Sequence, residues 1–434
     1  MRLPAYPGYK PSDVEWLGEV PEHWEAKRLK TSANYWVSNV DKVPSEEESP
    51  VRLCNYTDVY YNDHIRPNMG LMETTATTDE IHRFGLRVGD VVITKDSEEW
   101  NDIAVPALVV ESAPDLVCGY HLAIVRPKLS ALLGRYLLRT FQACAVNQQF
   151  QVAASGVTRF GLPKSSIGEA WLPLPPLSEQ SAIADFLDRE TAKIDTLVAK
   201  KRTLIERLKE KRTALISSTV TRGLPPDAAR AAGLDPHPKL KPSGIDWLDG
   251  VPINWEIKQL KWAVMFQRGH DLPADDREEG SVPLVSSAGV SATHSRAVAK
   301  GPGIVTGRYG TIGQFYLVED DYWPLNTTLY SIDLRGNDSR FLKALLTHLS
   351  PLFLLNAVKS AVPGVDRNDI HPIRAAVPPA PEQRAIADFL ERETAKIDGM
   401  VTMVGTAIER LQEYRTALIT AAVTGKIDVR EAVA

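Results

Sequence analysis

Two segments of the chain carry mainly apolar residues at alternating spacings of three and four over five heptads. Each stripe lacks proline, follows a proline-rich stretch and predicts a long amphipathic helix of the coiled-coil type. The expected a positions are Ile183, Glu190, Leu197, Leu204 and Lys211 in the first segment, and Ile386, Glu393, Met400, Ala407 and Tyr414 in the second. The expected d positions are Leu187, Ile194, Lys201, Leu208 and Leu215, then Leu390, Ile397, Val404, Leu411 and Leu418.

The two helical segments are copies of one another. Residues 179–221 and 382–424 align at a constant offset of 203 and agree at 29 of 43 positions. A second pair, residues 11–30 and 242–261, opens each half of the chain and agrees at 11 of 20 positions. A duplicated frame with divergent inserts predicts a pseudo-symmetric molecule. In it the two long helices pair antiparallel within one chain, although packing on their own domains or pairing in a dimer fits the same pattern.

The first divergent stretch predicts an α+β unit. Val88–Thr94 has the pattern of a turn entering a strand, and Leu122–Pro127 has that of a second strand. A helix is expected at Leu129–Asn147, followed by a polar glycine loop at Ser155–Arg159.

The second divergent stretch repeats this plan. Strands are expected at Gly303–Thr306 and Thr328–Ile332, and a helix at Phe341–Val358. The loop Pro363–Arg367 is the expected counterpart of the glycine loop in the first unit. The tryptophans that recur in the opening segments are expected to be packing anchors, namely Trp16, Trp24, Trp247 and Trp255.

Two polar loops offer candidate ligand contacts. Thr306–Gly313 holds three glycines with Arg308 and Tyr309 between them. Glycines let backbone amides approach a phosphate, and an arginine can fork onto a phosphate or a guanine edge. A tight hairpin without a ligand fits the glycines equally well. Lys95–Asn101 follows the matching strand and is rich in side chains able to read base edges, but an ordinary polar loop has the same composition.

Composition restricts the function classes. Apolar residues make up 44% of the 434, charged residues 24%, and the net charge is −5. No signal peptide or membrane-spanning run is evident, and three scattered cysteines and nine dispersed histidines give no metal spacing, which predicts a cytoplasmic, metal-free protein. A nucleotide-binding P-loop and the tetrapeptides of amino-methyltransferases are missing. Glu190 and Lys193 lie one residue too far apart for a nuclease motif, so no catalytic site is expected.

Two variable stretches alternating with two near-identical E-Q-x-A-I-A-D-F-L helical segments resemble the specificity subunit of type I restriction–modification enzymes over nearly the whole chain. The resemblance implies an α+β protein, with two target recognition domains separated by two long helices that form an intramolecular antiparallel coiled coil with pseudo-twofold symmetry. The implied division is 1–174, first recognition domain; 175–222, first spacer helix; 223–377, second recognition domain with its linker; and 378–434, second spacer helix and C-terminal tail.

The resemblance also implies a function. The chain is expected to be a non-catalytic subunit that reads a bipartite, asymmetric target in double-stranded DNA. It would scaffold two methyltransferase subunits and the restriction subunits, and it would not contact a membrane. It needs no cofactor itself, because S-adenosylmethionine, ATP and Mg are expected in the partner subunits. A coiled-coil adaptor that binds proteins and no DNA is the alternative.

The resemblance implies that the loops 156–159 and 364–367 match a family position next to the DNA. Base-reading residues cannot be transferred from the family, because its recognition domains vary too much. Candidate DNA contacts are therefore chosen for their residue type and loop position, and they are Lys95, Ser97, Asn101, Thr158, Arg159, Lys164, Arg308, Tyr309, Arg367 and Asn368.

Overall fold

The computed structural model describes residues 4–357 and 364–433, which divide into two compact units. The first unit comprises Met1–Lys201 and Thr406–Ala434, and the second comprises Arg202–Gly405. Both boundaries fall inside the repeated helical segments, so each long helix is divided between the units. The division predicted from the sequence, with borders after residues 174, 222 and 377, assigns whole helices to separate domains and stays a prediction.

The first unit is a mixed α+β domain. Its strands are β1 (Tyr9–Pro11), β2 (Glu19–Pro21), β3 (Glu25–Arg28), β4 (Ala33–Val37), β5 (Ser49–Cys54), β6 (His64–Ile65), β7 (Met72–Ala76), β8 (Val91–Thr94), β9 (Asp96–Ser97), β10 (Pro106–Val109), β11 (Leu116–Cys118), β12 (Leu122–Pro127), β13 (Phe160–Gly161) and β14 (Trp171–Leu174). Its helices are α1 (Leu29–Ser32), α2 (Tyr56–Tyr60), α3 (Thr78–Phe84), α4 (Gly134–Gln142), α5 (Cys144–Ala153), α6 (Lys164–Glu169) and the first part of α7 (Leu177–Arg222).

A five-stranded sheet of order β4-β12-β8-β10-β6 forms the centre of the first unit, and a three-stranded sheet, β11-β5-β7, packs beside it. Because side chains alternate across a strand, successive residues of β12 enter different cores. Ala123 and Val125 join the cluster that contains Tyr136 of α4, whereas Leu122 and Ile124 join the cluster around the three-stranded sheet. The central sheet is therefore buried on both faces, which explains the continuous apolar run in β12.

The second unit repeats this plan. Its strands are β15 (Leu240–Ile245), β16 (Leu248–Pro252), β17 (Glu256–Gln259), β18 (Met265–Arg268), β19 (Val282–Ser286), β20 (Gly289–His294), β21 (Gly303–Gly307), β22 (Phe315–Val318), β23 (Trp323–Pro324), β24 (Thr328–Asp333) and β25 (Arg374–Val377). Its helices are α8 (Pro226–Ala231), α9 (Ser339–Ala357), α10 (Arg367–Ile370) and the first part of α11 (Ala380–Val423). The sheets have the orders β18-β24-β21-β22 and β20-β19-β23, and Ile304 and Val305 of β21 face different cores.

The helix predicted at Leu129–Asn147 is wrong, because the structure has two shorter helices, α4 and α5, that meet at Ala143. Ala143 has an extended backbone, with φ −69° and ψ 124°. The amide of Cys144 donates to the hydroxyl of Thr420 at 3.1 Å, and the bend brings Phe150 edge-on to another ring of the core. These long-range contacts override the local helical preference.

The helix predicted at Phe341–Val358 corresponds to α9, which begins two residues earlier, at Ser339. Val358 lies outside the described residues. Pro351 is inside α9 and does not end it.

The long helices pair antiparallel within each unit, as predicted. In the first unit, Asp195 of α7 accepts a hydrogen bond from Arg415 of α11 at 3.0 Å, and the earlier residue Arg189 reaches the carbonyl of Ala432 at 2.6 Å. In the second unit, Arg212 of α7 donates to Asp398 of α11 at 2.9 Å. Arg212 and Arg415 occupy the same place in the repeat, as do the two aspartates, so each unit contains one copy of the same ion pair.

The predicted heptad seam is wrong in the middle of the helices. Leu197 and Leu204 were expected at a positions but are 43% and 44% exposed, and Tyr414 is 56% exposed. Val198 is buried instead of Leu197. A straight helix has 3.6 residues per turn, so a strict heptad stripe rotates away from its partner by about 20° per heptad. Burial is therefore concentrated near the helix ends, where the sheets of each unit also cover the helices.

A buried glutamine fastens the start of each long helix. The side-chain carbonyl of Gln180 accepts from the amide of Leu133, which precedes α4, at 2.9 Å. Gln383 accepts from the amide of Asp338, which precedes α9, at 2.9 Å. Each glutamine also donates to the proline carbonyl five residues before it, at 2.9 and 2.8 Å. The E-Q pair of the repeat is thus a structural anchor.

Trp24 and Trp255 are fully buried packing anchors, as predicted. The Trp255 indole N–H donates to the carboxylate of Glu382 at 3.0 Å. Gly425 ends α11 with φ 72°, and a Cβ there would lie 3.3 Å from the Trp24 ring. Gly223 ends α7 in the same way, with φ 89°, against Trp255. The other two recurring tryptophans are less buried, with Trp16 half-buried and Trp247 exposed.

Gln180→Ala should lower the free energy of unfolding of the first unit by about 2–4 kcal/mol, because it leaves the half-buried amide of Leu133 and the buried carbonyl of Pro175 without this partner. Urea denaturation of the full chain measures this. Gln412→Ala, at an exposed helical position, is the matched control and should change stability by less than about 0.5 kcal/mol. Equal stabilities of the two variants would contradict the anchoring role.

Candidate functional site

The described residues offer neither a metal site nor a membrane-spanning helix. Among the residues that the structure describes, no three His, Cys, Asp or Glu side chains are grouped so that they could hold a metal ion. No helix in the described ranges is both long enough and apolar enough to cross a membrane. The polar loops that follow the central strands are therefore the main candidates.

The six candidates of the first unit gather at one end of the central sheet. After β8 the chain passes Lys95 and enters β9, which pairs antiparallel with β13. The amide of Leu162 donates to the carbonyl of Lys95 at 2.8 Å, and the side chain of Gln151 donates to the carbonyl of Asn101 at 2.9 Å. Thr158 and Arg159 immediately precede β13, and Lys164 begins α6, so the structure brings these loops together.

The side chains in this group differ in their hydrogen bonding and in their exposure to solvent. Asp96 accepts hydrogen bonds from Lys95 at 3.1 Å and from His121 at 2.6 Å. Burial raises the pKa of the Asp96 carboxyl, but these two partners outweigh it and hold that pKa below its ordinary value. Ser97 is buried and accepts from the amide of Glu99 at 3.2 Å. The exposed candidates are Asn101, Thr158, Arg159 and Lys164.

The second unit has its candidates at the matching place. Arg308 and Tyr309 follow β21, Tyr309 forms a bridge with Gly364, and the amide of Val365 donates to the carbonyl of Arg308 at 3.0 Å. The Arg308 guanidinium lies 5.3 Å from the centre of the Tyr309 ring. Its Nε atom is buried and has no hydrogen-bond partner among the described residues. Within the described ranges this donor of Arg308 is therefore unpaired, whereas Lys95 is paired with Asp96.

The glycine-rich loop around Arg308 is a hairpin connection between the antiparallel strands β21 and β22. Gly310 and Gly313 have φ values of 71° and 82°, which favour glycine. The amides of Arg308, Thr311 and Gln314 donate to carbonyls of the protein. Of the two interpretations, the hairpin is observed. Contact with a phosphate stays a prediction that depends on the Arg308 side chain.

The predicted match between the two glycine loops is shifted. Gly364 pairs with the residue after Arg308, as Gly161 pairs with the residue after Lys95, so Gly364 corresponds to Gly161 and not to Gly156. Gly161 and Gly364 are separated by 203 residues, the same offset that relates the repeated helices. The prediction matched Gly156 to Gly364 by residue type and did not apply this offset. Pro363 of the predicted loop lies outside the described residues.

Arg367 and Asn368 begin α10, as Lys164 begins α6. Both side chains are exposed. The carboxylate of Asp366 accepts from the amide of Asn368 at 3.0 Å and so caps the helix. Both units thus present a basic residue at the surface where this short helix begins, although the side-chain cap is present in the second unit and not in α6. The role of these residues in DNA contact stays a prediction.

The sequence analysis missed a group of tyrosines beside the first-unit loops. Tyr56, Tyr60 and Tyr61 lie in and after α2, and Tyr60 donates to the carboxylate of Asp102 at 2.6 Å. Three tyrosines within six residues, directly after a strand and an asparagine cap, were the available signal.

Residues 252–400 match the family model of the type I restriction modification DNA specificity domain. The chain is 20% identical over 440 residues to a putative type I restriction enzyme MjaX specificity subunit of Methanocaldococcus jannaschii, covering 95% of this chain and 96% of that relative. It is 24% identical over 305 residues to the type I restriction enzyme EcoBI specificity subunit of Escherichia coli, covering 63% and 62% of the two chains.

Among solved structures, the chain is similar to one from a study of complex assembly and conformational transition of the type I R-M system. The TM-score is 0.64 and the sequence identity 16%, covering 93% of this chain and 98% of that one. At this identity the similarity concerns the fold, and it supports the predicted architecture of two α+β domains with two long helices.

Proposed function

This chain belongs to the family of type I restriction–modification specificity subunits, and we propose that each of its units reads one half of a two-part DNA sequence. The observation that carries the proposal is the pair of matching sheet ends. Both are built on the same frame, with Lys95 and Arg308 at the same position, yet the loops around them differ in sequence. A constant frame with different loops suits two readers of different half-sites.

We further propose that methyl transfer and DNA cleavage are carried out by partners. Two methyltransferase subunits and the restriction subunits would bind this chain, and S-adenosylmethionine, ATP and Mg would be bound by those partners. The net charge of −5 supports this division, because a protein that grips DNA alone normally presents an excess of basic residues. The partners would supply much of the phosphate contact, while this chain reads base edges.

The alternative, a coiled-coil adaptor that binds proteins and no DNA, has no support from the family to which the chain belongs. The two functions are separated by a binding experiment with two duplexes, one that carries the mapped two-part target and one with a scrambled sequence. The complex with the methyltransferase partner should retain only the target duplex. Equal retention of both duplexes would favour the adaptor.

Exchanging residues 245–375 for the matching stretch of a related specificity subunit should replace one half-site and leave the other unchanged. The exchanged stretch contains the four-stranded and three-stranded sheets of the second unit with their loops, and it leaves α7 and α11 intact. Genome-wide mapping of methylated adenines in cells carrying each version measures the outcome. A change in both half-sites would contradict independent reading.

The long helices should set the gap between the half-sites. Inserting four residues after Lys201 and four after Gly405 lengthens α7 and α11 together and preserves the helix pairing within each unit. Four residues add about 6 Å, so the gap should grow by about one or two base pairs of 3.4 Å while the bases read stay the same. A four-residue insertion after Asp235, outside any helix, is the control and should leave the gap unchanged. Altered bases with an unchanged gap would oppose this role.

Arg308→Ala should weaken the binding of all duplexes alike, because we expect Arg308 to hold a phosphate. The slope of the logarithm of the binding constant against the logarithm of the salt concentration should fall in magnitude by about one. Titrations of duplex at several salt concentrations measure both quantities. A loss of about 1–3 kcal/mol confined to one base position would instead indicate a guanine contact. Arg335→Ala, after the opposite end of β24, is the matched control. Identical behaviour of the two variants would leave the loop as a hairpin without a DNA contact.

A further inference from the structure

Three tyrosines form a ladder beside the loops of the first unit. The rings of Tyr56 and Tyr60 stack with centroids 5.5 Å apart and an interplanar angle of 17°, and the ring of Tyr61 meets Tyr60 edge-on at 5.0 Å. Tyr61 is 76% exposed. Among the described residues, none of the three rings belongs to the hydrophobic clusters of the unit. Core packing therefore does not explain the ladder.

The ladder is fixed to the candidate loops on one side. The Tyr60 hydroxyl donates to Asp102, next to Asn101, and this hydrogen bond raises the pKa of Tyr60 to about 12. Burial raises the pKa of the Tyr56 hydroxyl, while the neighbouring Ser97 hydroxyl and the Arg159 guanidinium act in the opposite direction. Two of the three rings thus hold fixed positions, and they leave the third, Tyr61, at the free end of the ladder.

Charged groups of both signs border the rest of the ladder, because a carboxylate bonds to Tyr60 and the Arg159 guanidinium acts on Tyr56. Asp58 caps α2 by accepting from the amide of Asn55 at 2.7 Å, and Asp102 lies on the neighbouring ring. Glu98 and Glu99 are exposed in the adjoining loop. The exposed Tyr61 ring is uncharged, so it does not attract a phosphate as a lysine or an arginine would. An apolar ring in such a place suits the floor of the major groove, where the thymine methyl group is the apolar feature of the bases.

We infer that Tyr61 packs against the C5-methyl group of a thymine in the half-site that the first unit reads. The inference rests on the proposed function, because it requires that the first unit faces DNA. Tyr56 and Tyr60 act as positioning residues that hold the ring of Tyr61. The contact selects one orientation of an A·T pair over the other base pairs, since only thymine presents a methyl group in the major groove.

The test uses the full chain in complex with its methyltransferase subunits and a duplex carrying the mapped target. Each thymine of the first unit's half-site is replaced in turn by deoxyuridine, which lacks only the methyl group. One replacement should weaken binding about three- to fivefold, as expected for loss of one buried methyl contact. Tyr61→Ala should weaken binding by a similar factor and abolish the sensitivity to that replacement. Tyr61→Phe should behave as the unchanged protein.

Tyr414→Ala, at an exposed tyrosine on α11, is the matched control and should keep the sensitivity to deoxyuridine. The inference is overturned if Tyr61→Ala keeps it too, or if Tyr61→Phe loses as much affinity as Tyr61→Ala, which would indicate a contact by the hydroxyl. Failure of the proposed function gives a different result, because the unchanged complex would then bind target and scrambled duplexes equally.

Discussion

The antiparallel packing of α7 against α11 is the interaction on which the rest of the structure depends. The core of the first unit is completed by Leu418, Ile419 and Val423, which lie more than 200 residues after its sheets. The core of the second unit includes Ile216 and Val220 from α7. The first unit is therefore built from two separate stretches of chain, whereas the second is one continuous stretch that contains parts of both long helices. Removing residues 406–434 would take part of the core from the first unit, so its variable loops must change inside an intact frame.

The frame tolerates such change because its fixed contacts lie away from the loops. The buried glutamines, the tryptophan anchors and the two interhelical ion pairs join repeated residues to one another or to backbone groups. Backbone amides and carbonyls are present whatever the side chain, so these bonds of Gln180 and Gln383 need no particular partner sequence, whereas the bond from Gln383 to the side chain of Asn337 does. The loops after β8 and β21 diverge without disturbing these contacts. The duplicated sequence and the divergent inserts are two consequences of the same arrangement.

Sequence reasoning predicted the fold well where one physical rule dominates. The long helices follow from apolar spacing and from glycines that end them, and β12 follows from a continuous apolar run. It failed where distant contacts decide. The bend at Ala143 depends on packing and on a hydroxyl from α11, and the exposure of Leu197 depends on how a straight helix departs from a heptad. The candidate residues of the first unit lie together as expected, but the burial of Ser97 comes from a pairing of β9 with β13 that local pattern does not reveal.

The basic residues at the two sheet ends differ in how they are paired with carboxylates. This difference bears on how a protein of net charge −5 reads DNA. Lys95 is neutralised by Asp96 within its own loop, and the tyrosine ladder beside it is bordered by carboxylates. Arg308 has no carboxylate hydrogen-bonded to it among the described residues and keeps a buried donor unused. Both sheet ends thus keep basic side chains, the exposed Arg159 and Lys164 in the first unit and Arg308 in the second, and the first also carries the tyrosine ladder. Under the proposed function, similar frames would therefore support two readers with different side chains, and this difference would suit an asymmetric target.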